Sequence, residues 1–159
     1  MYRSLAFIFP AALAFISAGA LIAQEQASPE QTSHEAREAQ MHLQAIHMGQ
    51  LGPMAQGNVE YDDAVAQSAA DNLHHLAQML SAPLYWVPGS AQGEVEGSRA
   101  LPAAWENPED LNAKITAFQE ATAALQSAAG TDLASLQAAM GGVGQACGSC
   151  HEAYRAPSD

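Results

Sequence analysis

Apolar positions along the chain fall into one unbroken run and four periodic series. The unbroken run comes first. Residues 5–16 are almost entirely apolar, with Met1-Tyr2-Arg3-Ser4 before them and Ala18, Gly19, Ala20 and Leu21-Ile22-Ala23 after them. A positively charged start, an apolar middle and a small-residue exit are the order of a secretory signal peptide. Residues 1–23 are therefore expected to be a signal peptide and 24–159 the mature chain, with cleavage after Ala20 or Ala23. An uncleaved anchor is the competing reading, because residues 5–23 are just long enough to span a bilayer. Residues 24–31 are polar and read as a loose leader.

The four periodic series repeat at three-to-four spacing, which gathers each onto one face of a helix. The first predicts a helix over 33–50, with Thr32 and Glu35 at capping-box spacing and Gly52-Pro53 as its stop. Arg37, Met41, Ala45 and Met48 share a face of it. The second predicts a helix over 62–81, opened by Asp62 and Asp63 and ended by Pro83. Its stripe is Val65, Ala69, Asn72, Leu73, Leu76, Met79 and Leu80. The third begins at Asn107-Pro108-Glu109-Asp110: a cap, a proline at the first helical position, then acids in the first turn. Its stripe is Leu111, Ile115, Phe118, Thr122 and Leu125, and Gly130 closes it.

The fourth runs from about Thr131-Asp132 to Arg155 and is the most regular: Leu133, Leu136, Met140, Val143, Cys147, Cys150, Tyr154. Gly141, Gly142 and Gly144 interrupt it. Each glycine weakens a helix by about 1 kcal/mol relative to alanine. The cluster therefore implies that something bulky approaches the backbone, tight helix packing being the plain alternative. Between the second and third helices lies an irregular stretch, 82–106, holding Trp86 and Trp105. A connection of that length packs on something or has a use. Four amphipathic helices with no strand signal predict an all-α, antiparallel four-helix bundle.

Composition agrees. The chain has 159 residues, 48% of them apolar, which is enough for one domain with one core. Charge narrows the partners. With Arg3 removed, four Lys or Arg face 17 Asp or Glu, a formal charge of −13. So acidic a protein is a poor binder of nucleic acid or anionic lipid. It suits a partner with a basic docking face, although the charge also serves solubility.

The candidate chemistry sits in the fourth helix. Cys147-Gly148-Ser149-Cys150-His151 is a C-x-x-C-H sequence, the attachment motif for c-type haem. Positions i and i+3 share a helix face, so both thiols can reach the two vinyl groups on one haem edge. His151 then swings its imidazole over the ring as an axial ligand. A redox dithiol usually sits at a strand-to-helix turn, and no strand precedes this motif. A zinc site needs four ligands and the chain has no second cysteine pair. A disulfide across two residues strains a helix. One covalent haem c, held through two thioethers, is the expected cofactor.

The C-terminal run Gln145-Ala146-Cys147-Gly148-Ser149-Cys150-His151-Glu152-Ala153-Tyr154-Arg155 resembles the class II cytochromes c, the cytochromes c′ and their low-spin relatives. The resemblance extends to Ala36-Arg37-Glu38-Ala39-Gln40-Met41, to Gly57 with Tyr61-Asp62, and to Trp105, and so covers essentially the whole mature chain. It implies a four-helix bundle in which a homodimer through the first two helices can form, while the signal peptide and the haem motif together imply a periplasmic protein, not an enzyme. It also implies a distal side built from the first helix, where Met41 is the matching position, and a haem propionate paired with Arg37. Bound to iron, the Met41 thioether gives a closed site for one-electron transfer. Unbound, it leaves an open site for nitric oxide or carbon monoxide. A peroxidase would need a polar acid–base pair where Met41 and Ala45 stand.

Overall fold

A computed structural model describes residues 27–157. The leader expected at 1–23 lies outside the described residues. The chain forms α1 (Pro29–Ala55), α2 (Asp63–Met79), a 3-10 turn (Pro83–Trp86), the one-turn α3 (Ala103–Glu106), α4 (Pro108–Ala128) and α5 (Leu133–Tyr154). Helix α1 packs on α2, α2 on α4, α4 on α5, and α5 back on α1, so the four long helices close a ring. This is the predicted four-helix bundle.

Helix ends show where local signals won and where they lost. Asp62 and Asp132 cap α2 and α5, their side chains accepting from the Val65 and Ser135 amides at 2.9 and 2.7 Å. Pro108 stands in the first turn of α4, ahead of Glu109 and Asp110, as expected. Helix α1 differs at both ends. It starts four residues before the expected 33, because Ser28 caps it and Pro29 takes the first helical position. Glu35 holds the side chain of Gln31 instead of closing a capping box. Gly52-Pro53 does not stop α1, which runs on to Ala55. Proline costs one amide there, but Leu51 and Met54 of the same turn are buried in the core and hold it.

Helix α2 buries Ala69, Leu73 and Leu80 of the expected stripe, but the rest of its inward face differs. Ala66, Ala69, Ala70, Leu73 and Ala77 face inward, while Val65 and Met79 stand exposed. Small side chains let two flanking helices approach α2 closely, and tertiary contact of this kind outweighs periodicity. The glycines of α5 meet no bulky protein neighbour: a side chain at Gly141 or Gly144 would enter open space, and one at Gly142 would only touch Ala121. Gly130 does not end α4 through a left-handed turn. It is the point of closest approach to α2, where an added Cβ would sit 2.7 Å from Oε1 of Gln67.

The register of α1 against α5 follows from one hydrogen bond. Nε2 of Gln137, early in α5, donates to the carbonyl of Ala55 at the end of α1, 2.8 Å away. The two helices are therefore antiparallel. Fourteen residues along each, in opposite directions, lead from Ala55 to Met41 and from Gln137 to His151.

Candidate functional site

The last turns of α5 and the N-terminal half of α1 face each other across a cavity of about 500 Å³. On one wall stand Cys147, Cys150, His151 and Tyr154; on the other, Arg37, Met41, Gln44, Ala45 and Met48; Trp86 closes one end. The structure thus brings together all five residues singled out from the sequence: Cys147, Cys150, His151, Met41 and Arg37. The face Arg37–Met41–Ala45–Met48, read from spacing alone, is the face that lines the cavity.

Both cysteines are free and half-buried. Burial pushes both thiols up, and at Cys147 the neighbouring Cys150 adds to the effect. Burial also pushes His151 down, with Arg155 and Arg99 acting in the same direction. Both effects favour the neutral imidazole, the form that offers a lone pair to a metal. Tyr154, one turn beyond, donates its hydroxyl to Oδ2 of Asp110 at 2.5 Å and is pushed up to about 12 by that bond. The bond ties the end of α5 to the start of α4.

Two sulfurs face the motif from α1. Met41 and Met48 lie seven residues apart, about 10 Å along the axis, so only one can stand across from His151. Counted from the Gln137–Ala55 contact, Met41 lies as far along α1 as His151 lies along α5. His42 is exposed at the cavity rim, and His47 pairs with Gln50 at 3.2 Å.

Arg37 has a tertiary role that spacing could not reveal. It is 6% exposed, and no carboxylate pairs with it among the described residues. Nη1 donates to Oγ of Ser33, the carbonyl of Tyr85 and Oγ of Ser90 at 2.9, 2.7 and 2.8 Å. Nη2 donates to the carbonyl of Ser90 at 2.5 Å. The guanidinium carbon lies 5.8 Å from the Trp86 ring centroid and 5.3 Å from that of Trp105, and the two rings meet edge-on at 6.0 Å. Hydrogen bonds and π faces together compensate a buried cation. The irregular stretch 82–106 thus has a use: it wraps Arg37. Both Nη groups are taken, so the propionate expected for Arg37 finds only Nε without a partner among the described residues. Of these contacts only Ser33, one turn before Arg37, was legible in the sequence.

The cavity fits a flat, largely apolar group. Most of its lining surface is apolar, with Met41, Met48, Ala45 and Trp86 facing the two cysteines and charged side chains such as Arg99 and Arg155 also present, and one polar atom of a lining residue is orphaned: Nε2 of Gln44 is buried with no hydrogen-bond partner. Buried donors are seldom left so, and a group filling the cavity would change that atom's surroundings. An i, i+3 thiol pair with a neutral imidazole beside it is the donor set for covalent haem.

The fold and site define the class: a helical bundle built to carry a haem on its last helix. The chain belongs to the cytochrome c′ family, whose family model, described as Cytochrome C′, matches residues 32–155. It is 54% identical over 121 residues to cytochrome c-554 of Cereibacter sphaeroides, covering 76% of this chain and 78% of that one. It is 39% identical over 136 residues to cytochrome c′ of the same organism, covering 86% and 91%. Among solved structures, the nitric oxide complex of a variant cytochrome c′ from Alcaligenes xylosoxidans superposes with a TM-score of 0.71 at 33% identity, covering 84% of this chain and all of that one. The protein is accordingly a c-type cytochrome with one covalently bound haem. No described helix is long and apolar enough to cross a membrane.

Proposed function

We propose that this protein is a periplasmic one-electron carrier in which Cys147 and Cys150 form the two thioethers and His151 and Met41 are the axial ligands. The observation that carries this reading is the register set by Gln137 and Ala55, which faces Met41 toward His151 across an apolar cavity. The bound haem supplies a single reversible electron. The chain's residues do the rest. A thioether is soft and neutral, so Met41 favours the ferrous state and raises the reduction potential. Ala45, Met48 and Trp86 exclude water from the distal side. Arg37 fixes the loop that carries Trp86, and the Asp110–Tyr154 bond steadies the turn after His151.

Residues 1–23 would direct export and then be removed, leaving no membrane segment. The formal charge of −13 favours a redox partner with a basic docking face. Leu43 and Ile46 on α1, with Val65 and Met79 on α2, are each more than 40% exposed. Such side chains suit a homodimer through α1 and α2.

The second reading is an iron open to diatomic gases, favoured by the solved nitric oxide complex of a relative. Absorption spectra of the ferric and ferrous protein, with and without carbon monoxide, decide between them. Low-spin spectra indifferent to the gas are expected, with Met41→Leu converting the protein to a high-spin, gas-binding form. A wild-type protein that is high-spin and binds carbon monoxide would make Met41 a wall and gas binding the function.

A further inference from the structure

The few positive charges of this acidic chain are not scattered. Among the described residues they are Arg37, Arg99, Lys114 and Arg155, and all four stand at the end of the bundle that holds the C-x-x-C-H motif. Arg37, Arg99 and Arg155 line the main cavity. Lys114 lies 3.8 Å from Asp110, the carboxylate that receives the Tyr154 hydroxyl. Two of the four are occupied: Lys114 by Asp110, and Arg37 by the loop it holds.

Arg99 and Arg155 remain. Both are exposed, and neither forms an ion pair with any carboxylate among the described residues, although the chain has 17 Asp and Glu. Both line the main cavity, and both line a shallower one of about 470 Å³ that His151 also lines. Their positions are set by backbone pairing between the loop and the C-terminal segment. The Leu101 amide donates to the Tyr154 carbonyl, and the Ala156 amide to the Arg99 carbonyl, each at 2.9 Å. Arg99 is oriented further: its Nε and Nη2 donate to the Ala156 carbonyl at 3.2 and 2.6 Å, and Nη1 keeps no partner among the described residues. Besides Arg37 and the motif-end residues Cys147, Cys150, His151 and Tyr154, the charged or titratable groups lining these cavities are Glu152 on α5 and Glu38, His34 and His42 on α1.

Two arginines lining this cavity, without ion-pair partners among the described residues, match a cofactor that brings two carboxylates into an already acidic protein. We propose that Arg99 and Arg155 receive the two haem propionates, the role that resemblance alone would give to Arg37. This rests on haem attachment at Cys147 and Cys150. It has a consequence for docking: once the two positive charges are matched by two carboxylates, no net basic patch surrounds the haem edge. The acidic surface then extends to it, and a basic partner still fits.

The test uses the haem-loaded full protein and five variants: Arg99→Gln, Arg155→Gln, their double, Arg37→Lys, and Lys114→Gln as a control for loss of a nearby charge. The readouts are the propionate bands in the resonance Raman spectrum and the midpoint potential. Each arginine variant should shift the propionate bands and lower the potential, with the double showing both shifts combined. Lys114→Gln should leave the bands in place. Unmoved bands in the double variant would overturn the proposal whatever the potential does, because the arginines would then act only as charges at a distance. Bands that respond to Arg37→Lys and to neither of the others would return the propionates to Arg37. A wild-type protein that loses its haem on denaturation would instead overturn the attachment reading, so the two failures are separable.

Discussion

The two ends of the bundle are built differently. At the end where α1 finishes and α5 begins, the interior is apolar and closed. Leu51, Ala66, Leu125, Ala129 and Leu136 are fully buried there, and Gln67 stitches α2 to α4 through the Gln126 carbonyl and the Gly130 amide. At the motif end the buried face of α1 is polar (Ser33, Arg37, Gln40, Gln44), and a cavity replaces the core. One end supplies stability from packing; the other leaves room for a cofactor and holds its walls with hydrogen bonds. A bundle that must admit a rigid planar group cannot close-pack both ends, because close-packed interiors leave few voids even of water size.

The comparison can be broken most severely at the motif. Replacing Cys147 and Cys150 together with alanine should abolish covalent haem entirely while α1, α2, α4 and α5 still form. The absorption spectrum of the denatured protein reads the first, and far-ultraviolet circular dichroism the second. Haem surviving denaturation in this variant would remove the attachment site from Cys147 and Cys150.

Arg37→Ala should come next, lowering stability by roughly 3–5 kcal/mol, because it strands a set of buried acceptors and empties the space between two tryptophans. Denaturant unfolding gives the magnitude. Arg37→Lys should recover part of the loss, since lysine keeps the charge but not the fork. A loss under 1 kcal/mol for Arg37→Ala would show that the loop does not depend on it.

At the opposite end, Gly130→Ala should cost about 1–3 kcal/mol by overpacking against Gln67 and leave the haem spectrum untouched. A spectral change there would mean that the two ends are coupled more tightly than their construction implies.

The smallest effect concerns acid. The Ser135 backbone amide holds the Asp132 carboxyl below its ordinary value. Its contribution to stability is therefore complete above the ordinary aspartate pKa of about 4 and is lost as pH falls through the lowered folded value. Asp132→Asn keeps a good cap that does not titrate. Its melting temperature should fall less steeply than that of the wild type below about pH 4, and parallel curves would assign the acid sensitivity elsewhere.

Helices whose signals are local were readable from the amino-acid order: the Asp62 and Asp132 caps, Pro108 at the start of α4, the regular stripe of α5; Asn107 holds the cap position, but its side chain donates to the Ala103 carbonyl instead. That order determined the chemistry of the motif as well, because two thiols and an imidazole within five residues need nothing distant to share a helix face. Packing between helices settled what depends on residues far apart in the chain. Pro53 stays helical because Leu51 and Met54 are buried by other helices. Alanines displace Val65 and Met79 from the core because neighbouring helices come close. Met41 and Met48 come to the same cavity as His151 because α5 runs back along α1, with Gln137 meeting Ala55. Arg37 belongs to a loop some fifty residues away, since a guanidinium at a given helix position is equally ready for a propionate, a carbonyl or water. Which of these it receives depends on how the chain returns to it.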